Sequence, residues 1–445
     1  MDHDVIVEQL VARCKGFIEN ILQAPDLHSV ASASLAIFTQ MRQVAREMLQ
    51  AKIAFEAQQR RSQDVARCCP EASVHDVHTR TVSPETLFGE ITIPVRTFQC
   101  RGCGATFRPD DVALGVPEVG DFTDDVRCLY APVVAELPHR VANDLFARCT
   151  GVSLSSCAAQ GIIDSTAEDL QAWQATRETR EAEAVGDALA VGDGGSELYV
   201  EIAIDGVTAH IDGRWPQPKV ATILVRRLEA QVEEPTLGAV LGRRYVSVLG
   251  SAEDLAARIK QVLREASWEH IPIGEILGDG APWIWNMADA HFPGVRQPLD
   301  YYHLSEHLYA FAHLLYPNNP AGAKAWVEEK TGALLTDRVG EVLRALNRMR
   351  PWKQAICDAL AQLIGYVEHN RTRLRYQEPW HHGLAVGSGA VEGACKHVIQ
   401  SRFKRAGMRW KHPGFLAVLT LRIARLNGDF QAFWASRGLA VYSAR

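Results

Sequence analysis

The chain has 445 residues, with 47 Lys and Arg against 53 Asp and Glu for a formal charge of -6. Apolar residues make up 47% and charged residues 22%, proportions that exclude a disordered chain, and no apolar run approaches the roughly 20 residues a membrane-spanning helix needs. A net-acidic chain exerts no global pull on nucleic acid, so any such binding must come from local basic patches.

The length predicts roughly two to four domains. The start, MDHDVIVEQL, lacks the basic-then-apolar pattern of a signal peptide. Ten unevenly spaced cysteines predict reduced thiols in a cytoplasmic protein rather than a disulfide scaffold. Residues 1–64 predict helices, with Ile37, Met41, Val44, Met48 and Leu49 on one face. They read either as an arm for self-association or as helices packed on the rest of the chain. From 65 to 118 the character changes to a zinc-ribbon-like β element. Ile91, Ile93 and Val95 alternate as in a strand, and the stretch ends QCRGCGATFRP. Cys100 and Cys103 have knuckle spacing, and Cys68 and Cys69 would complete a four-thiolate zinc site, with His75 or His78 as substitute ligands. A small β element with free thiols is the competing reading. Residues 119–176 read as a helix, a short turn at Thr150-Gly151 and a second helix from near Ser153, the grammar of a DNA-binding helix-turn-helix. Residues 177–196 carry charge and glycine without a core pattern, and predict a linker.

Past the linker the pattern turns α/β. Leu198, Val200, Ile202 and Ile204 predict a strand ending at Asp205-Gly206, KVATILV (219–225) a second and YVSVL (245–249) a third. Ser251 then caps a helix striped by Leu255, Ile259, Val262 and Leu263. IGEIL (273–277) is a fourth strand, followed at once by Gly278-Asp279-Gly280. A short helix with Trp283 and Trp285 follows, then a fifth strand near 295–299 leading to Asp300. Three strands, a helix, then strand-helix-strand is the order of a ribonuclease H-like fold. Acids at the ends of its first and fourth strands lie on neighbouring strands, and Asp205 and Asp279 hold those places. Residues 197–303 are expected to form the first part of this core, 304–378 an all-helical insertion, and 379–445 the closing helices with a third acid, Glu392.

Glu392 is the one carboxylate in GSGAVEGACKHVIQSRFKRAGMRWK (387–411), among six Lys and Arg. Three carboxylates gathered from distant parts of a chain predict hard oxygen ligands for two Mg²⁺ or Mn²⁺ ions roughly 4 Å apart, the apparatus of phosphodiester cleavage or transfer. Asp205 would bridge the ions, with Asp279 and Glu392 on one each. Lys396, Arg402, Lys404, Arg405, Arg409 and Lys411 would neutralise entering phosphates, and Trp410 would stack on an unpaired base. Two readings compete. Aspartates before glycine at strand ends also serve as plain turn residues. His303, Glu306 and His307 match H-x-x-E-H, two zinc-binding histidines with a glutamate base.

LGDGAPWIWNMADAHFPG, LDYYHLSEHL and VGSGAVEGACKHVIQSRFKRAGMRW resemble the signature blocks of bacterial insertion-sequence DDE transposases of the Kra type, relatives of the Mutator-like transposases. The resemblance covers about residues 85–430 and is specific in these three blocks. It implies a ribonuclease H-like catalytic domain acting on double-stranded DNA: the terminal inverted repeats of a mobile element, and target DNA. It puts the family's three acids at Asp205, Asp279 and Glu392, and an acid-x-x-histidine motif at Asp300 and His303, close to the site. TLFGEITIPVRTFQCRGCGATFRPDD resembles the family's zinc-ribbon region, from which this chain departs by compressing the first cysteine pair to Cys68-Cys69. The implied reaction is water attack at the element's end, then attack of the freed 3′-hydroxyl on target DNA, by at least a dimer and without a covalent enzyme intermediate. An inactive descendant that only binds DNA, and a hydrolase that never joins strands, are the alternatives within this reading.

Overall fold

The structure, a computed structural model, describes residues 3–24, 29–59, 69, 73–117, 122–176, 198–228, 237–387 and 389–439. Cys68 and the expected linker at 177–196 lie outside them. The chain forms two compact units, one of residues 1–171 with 430–445, the other of 172–429.

In the first unit, helix α1 (His3–Gln23) packs on α2 (Val30–Gln59), where Arg13 meets Glu47 at 3.3 Å. Part of the expected apolar face is used locally. Val44 is buried, and Leu49 and Ile53 pack against Ile91, Ile93, Val95 and Val116 of the β element. The Gln50 side-chain amide seals this contact, donating to Thr92 O and accepting from Thr92 N at 2.6 Å each. The β element comprises β1 (Val74–Val82), β2 (Glu85–Thr86), β3 (Gly89–Glu90), β4 (Ile93–Cys100) and β5 (Thr106–Phe107). Strands β1, β4 and β5 form an antiparallel sheet with β4 central, and β2 pairs with β3. Helix α3 (Pro109–Ala113) brings Asp110 into the interior, where it accepts from Arg96 N and Nε at 3.0 Å.

Helices α4 (Asp124–Glu136), α5 (His139–Thr150) and α6 (Ser156–Thr176) follow. The expected turn after α5 is present, with Gly151 left-handed at φ 73°. However, α6 starts at Ser156 rather than near Ser153, because it is Ser155 Oγ that takes an orphan helix N–H, from Ala158 at 3.1 Å. The sequence of α6 holds Asp164, Glu168 and Asp169 and no Lys or Arg, a poor charge for a helix expected to enter a DNA groove. The last helix (Asp429–Ser436) buries Phe433 and Trp434, and Arg437 after it pairs with Asp124 and Asp169 of α4 and α6. Residues from 430 onward therefore belong with this unit, not with the closing helices of the second, as the reading of 379–445 as one segment had it.

The second unit is built on a four-stranded sheet: β6 (Leu198–Gly206), β7 (Lys219–Arg227), β8 (Ala239–Val248) and β9 (Ile273–Gly278), in the order β8-β7-β6-β9. β6, β7 and β8 pair antiparallel, and β9 runs parallel to β6. β6 and β7 are buried on both faces, which is why their sequences are almost continuously apolar. β8 begins six residues before the expected YVSVL, since Gly242, Arg243 and Arg244 break its alternation. The expected fifth strand is reduced to two single bridges, Arg296 to Glu275 and Leu299 to Gly278.

Helix α7 (Ala252–Glu265) carries a reciprocal cap between Ser251 and Asp254 and buries Leu255, Ile259, Val262 and Leu263 as expected. After α8 (Pro282–His291) come α9 (Tyr301–Leu315), α10 (Pro320–Leu335), α11 (Val339–Arg348), α12 (Gln354–His369) and the short α13 (Gln377–His381). The helices expected as an insertion share one core with the sheet: Leu308, Val327, Leu346 and Leu363 join Ile202 and Ile276. Helix α14 (Gly389–Ala394) continues through a π-helical stretch (Cys395–Gln400) into a last turn (Ser401–Phe403), and α15 (His412–Asn427) packs beside it. The wide turn leaves the His397 carbonyl over. Buried Arg422 fills it, donating from Nε at 3.0 Å and Nη2 at 2.5 Å. Among the described residues, no helix is long and apolar enough to cross a membrane.

Candidate active site

Because β9 runs parallel to β6 with Ile204 opposite Gly278, the residues that follow each, Asp205 and Asp279, emerge side by side at one end of the sheet. All five expected catalytic residues, Asp205, Asp279, Asp300, His303 and Glu392, line one cavity of about 170 Å³, together with Tyr302 and Glu306. A larger cavity of about 400 Å³ in the first unit includes Asp124, Arg127, Asp169 and Arg437. Those acids and arginines are already paired with one another, so it offers weaker chemistry despite its size.

Each acid is held by its own turn. Asp205 Oδ1 accepts from Gly206 N at 2.6 Å, and Oδ2 accepts from the Cys395 thiol at 3.4 Å. Burial pushes the Asp205 carboxyl above the ordinary aspartate range against the pull of the Gly206 N–H, and the charge of Asp279 adds to the push. Asp279 Oδ1 accepts from Ala281 N at 2.9 Å, while its carbonyl accepts from the Tyr366 hydroxyl at 2.8 Å. Gly280 has φ 99°, and a Cβ there would meet the Tyr366 ring at 3.0 Å, so this turn requires glycine. Asp300 caps α9, its Oδ1 accepting from Tyr302 N at 2.8 Å, which gives it a structural task at the edge of the cavity.

Glu392 reaches the cavity from α14 through a tethered segment. Ala385 N donates to buried Glu275 Oε1 at 2.8 Å, Tyr199 hydroxyl to Gly383 O at 3.3 Å, and Tyr301 N to Val386 O at 3.0 Å. Gly387 then passes so close to Tyr302 that a Cβ would lie 2.6 Å from the ring. Of the six cations expected to meet phosphates, Lys396, one helical turn on, is instead paired with Glu392, both side chains remaining largely exposed. Lys396 is therefore a partner of the third acid before it is a phosphate contact.

The acids suit hard divalent cations. Asp205 and Asp279 form a partly buried carboxylate pair short of positive charge, the condition that such ions relieve. The three carboxylates do not close on a single point. Among the described residues, the one set of three donor atoms all within 4.8 Å of one another is Cys69, Cys100 and Cys103. A site for two ions would not need all three acids to meet at one point. The thiol trio is the closed site. Cys100 is buried beside the turn that brings Cys103 back, with Gly104 N donating to Cys100 O at 3.0 Å. His75 and His78, on β1, are not in it.

The H-x-x-E-H residues place the His303 and His307 rings 5.0 Å apart but do not form a set of three donor atoms within 4.8 Å of one another. His303 Nδ1 is 3.5 Å from Glu306, and the His307 ring lies against Tyr366 at 4.3 Å. Burial, then the charge of His303, pushes the His307 pKa down.

Two of the expected DNA contacts are corrected. Arg402 is buried, its guanidinium over the rings of Trp410 (5.0 Å) and Phe403 (5.7 Å). Trp410 is half-buried, donates from Nε1 to Phe403 O at 3.2 Å and packs between Phe403 and Phe415. Both seal α14 against α15, because a guanidinium among aromatic rings is held by its stacking. Lys404, Arg405, Arg409 and Lys411 are exposed. The residues that sequence reasoning missed are Cys395, which its spacing three after Glu392 could have flagged, and Tyr366, which sits 87 residues from Asp279 with no local signal. No known protein-family model matches this chain, and no curated protein matches it in sequence.

Proposed function

We propose that the second unit is a ribonuclease H-like catalytic domain of a DDE-type DNA transposase, which cleaves the ends of a mobile element and joins the freed 3′-hydroxyl to target DNA. The observation that carries this reading is the convergence of Asp205, Asp279 and Glu392, from sequence positions far apart, on one cavity. The sheet order β8-β7-β6-β9, with β9 parallel to β6, supports it as the order in which such a fold brings its first two acids together.

Asp205, Asp279 and Glu392 would hold two Mg²⁺ or Mn²⁺ ions, which would supply charge neutralisation at phosphorus and an ionised attacking oxygen. The chain's own residues do the rest. The Gly206 and Ala281 N–H groups fix the two strand-end carboxylates. Tyr366 fixes the backbone of Asp279. Lys404, Arg405, Arg409 and Lys411 draw the DNA backbone to the side of the sheet where the acids lie. His303 and Glu306 border the cavity, where they can orient a base or a flanking phosphate. The cysteine trio is proposed to hold a structural Zn²⁺ in the first unit, and the chain to act as at least a dimer.

The test is a joining assay with Mg²⁺ and DNA carrying the sequences that flank this reading frame as inverted repeats. The native chain should yield strand-transfer products, and Asp279→Asn should bind those ends yet yield none. Cleavage with no joined product would reduce the proposal to a hydrolase, and activity that persists in Asp279→Asn would overturn it.

A further inference from the structure

We infer that Trp215 is the stacking platform for an unpaired base of the DNA strand handled at the Asp205 end of the sheet, an inference that rests on the phosphodiester chemistry proposed above. Strands β6 and β7 run on past Asp205 as a two-stranded ribbon. Val207 N donates to Pro218 O, Ala209 N to Pro216 O and Ile211 N to Arg214 O, at 3.0, 3.0 and 2.9 Å. Asp212 and Gly213, at φ 49° and 74°, close it in a tight turn. The ribbon thus projects from the strand end that carries the first acid.

The basic segment after α14 lies along one edge of this ribbon. Trp410 N donates to His210 O at 3.1 Å, and Asp212 N donates to Trp410 O at 3.0 Å. Lys404 Nζ reaches Thr208 Oγ1 at 3.4 Å, and Lys411 Nζ meets Asp212, the one acid in 207–218, at 3.5 Å. On the opposite strand, Arg214 is exposed and Trp215 is 63% exposed, its ring touched edge-on by His210 at 5.0 Å.

A lone exposed tryptophan is ordinary in itself. What gives this one a ligand is its setting: Arg214 on its own strand, Lys404 and Lys411 from the segment along the other edge, and an indole that is 63% exposed, the pairing of charge with aromatic platform that holds single-stranded nucleic acid. Trp410, spent on Phe403 and Phe415, presents no such face. Trp215 lies five residues beyond Val220, the partner of Asp205. That is about 17 Å along the ribbon at ~3.4 Å per residue, the rise of roughly five base pairs. A base freed by opening the duplex within that span of the cut phosphate loses its neighbours in the stack, and the indole replaces them.

The test measures binding of the full chain, without divalent metal, to a fluorescein-labelled oligothymidylate of about twenty nucleotides and to a random-sequence duplex of equal length. Trp215→Ala should loosen the oligothymidylate about tenfold and the duplex less than twofold, as loss of one stacked base predicts. Trp215→Phe, which keeps a smaller ring, should loosen the oligothymidylate about threefold. Unchanged oligothymidylate binding in Trp215→Ala, or equal loss on both DNAs, overturns the inference. A native chain that binds duplex but not oligothymidylate also overturns it while leaving the transposase reading standing. A native chain that binds neither overturns both. Loss of joining in Asp279→Asn, with its oligothymidylate binding intact, keeps the two claims separable.

Discussion

In the first unit, Cys69, Cys100 and Cys103 bring their sulfur atoms within 4.8 Å of one another on the turn of a small sheet. In the second, Asp205, Asp279 and Glu392 line one cavity without all three closing to that distance, Glu392 turned to Lys396. Neutral thiols can approach without electrostatic cost, whereas ionised carboxylates repel until a cation joins them. The small sheet has little core of its own and gains from a closed clasp. The sheet of the second unit is already held by a large apolar core and needs no such clasp to stay folded.

Four measurements break or sharpen this contrast. The largest effect is expected from Glu392→Gln: strand cleavage in saturating Mg²⁺ should fall about a thousandfold, some 4 kcal/mol of barrier. Its thermal midpoint should stay put, because the side chain is 65% exposed; a matching loss of stability would mean that the acid supports the fold instead. Next, Cys100→Ser should lower the melting of the first unit by roughly 10 °C or more and remove bound metal detected by mass spectrometry. A metal-free native protein with the same melting curve would erase the distinction between clasp and working site.

Smaller is the difference between two basic residues two positions apart. Arg402→Ala should cost about 2 kcal/mol in urea unfolding, through lost stacking on Trp410 and Phe403. Lys404→Ala should leave unfolding unchanged and lower the salt slope of DNA binding by about 1. The smallest effect concerns pH. The folded chain keeps the Asp205 proton at pH values where the unfolded chain has released it. That contribution is full below the ordinary aspartate pKa of about 4 and is lost as pH rises through the raised folded value. Metal-free stability should therefore decline across that window in the native protein and not in Asp205→Asn, and Mg²⁺ should abolish the difference. A decline of equal size in both proteins would show that Asp205 is not the group responsible.

Much of the second unit could be read in the sequence, for identifiable reasons. Central strands buried on both faces must be apolar throughout, so β6 and β7 announce themselves. Ser251 with Asp254 three residues on is a local cap that needs no tertiary help. Asp205 and Asp279 stood out because each ends an apolar run before glycine. What sequence could not convey was direction. Arg402 and Lys404 carry the same charge in the same run, but one faces Trp410 and the other solvent. The Glu392–Lys396 pair is written in the four-residue spacing, but the same lysine also fits a phosphate-binding run, and the spacing alone does not choose between them. The allegiance of the last helix rests on Arg437 meeting Asp124, 313 residues away, which no local pattern encodes.

The π-helical stretch from Cys395 to Gln400 sets the phase between Glu392 and everything downstream. Excising one of its six residues would restore ordinary winding and leave Phe403, with the cationic run behind it, at nearly the same phase, because five residues of α-helix turn about as far as six in the wider winding. Arg422 would lose the surplus carbonyl it now grips. The extra residue thus matters through that carbonyl, by which Arg422 ties the helix of Glu392 to α15, so here a hydrogen bond constrains the number of residues.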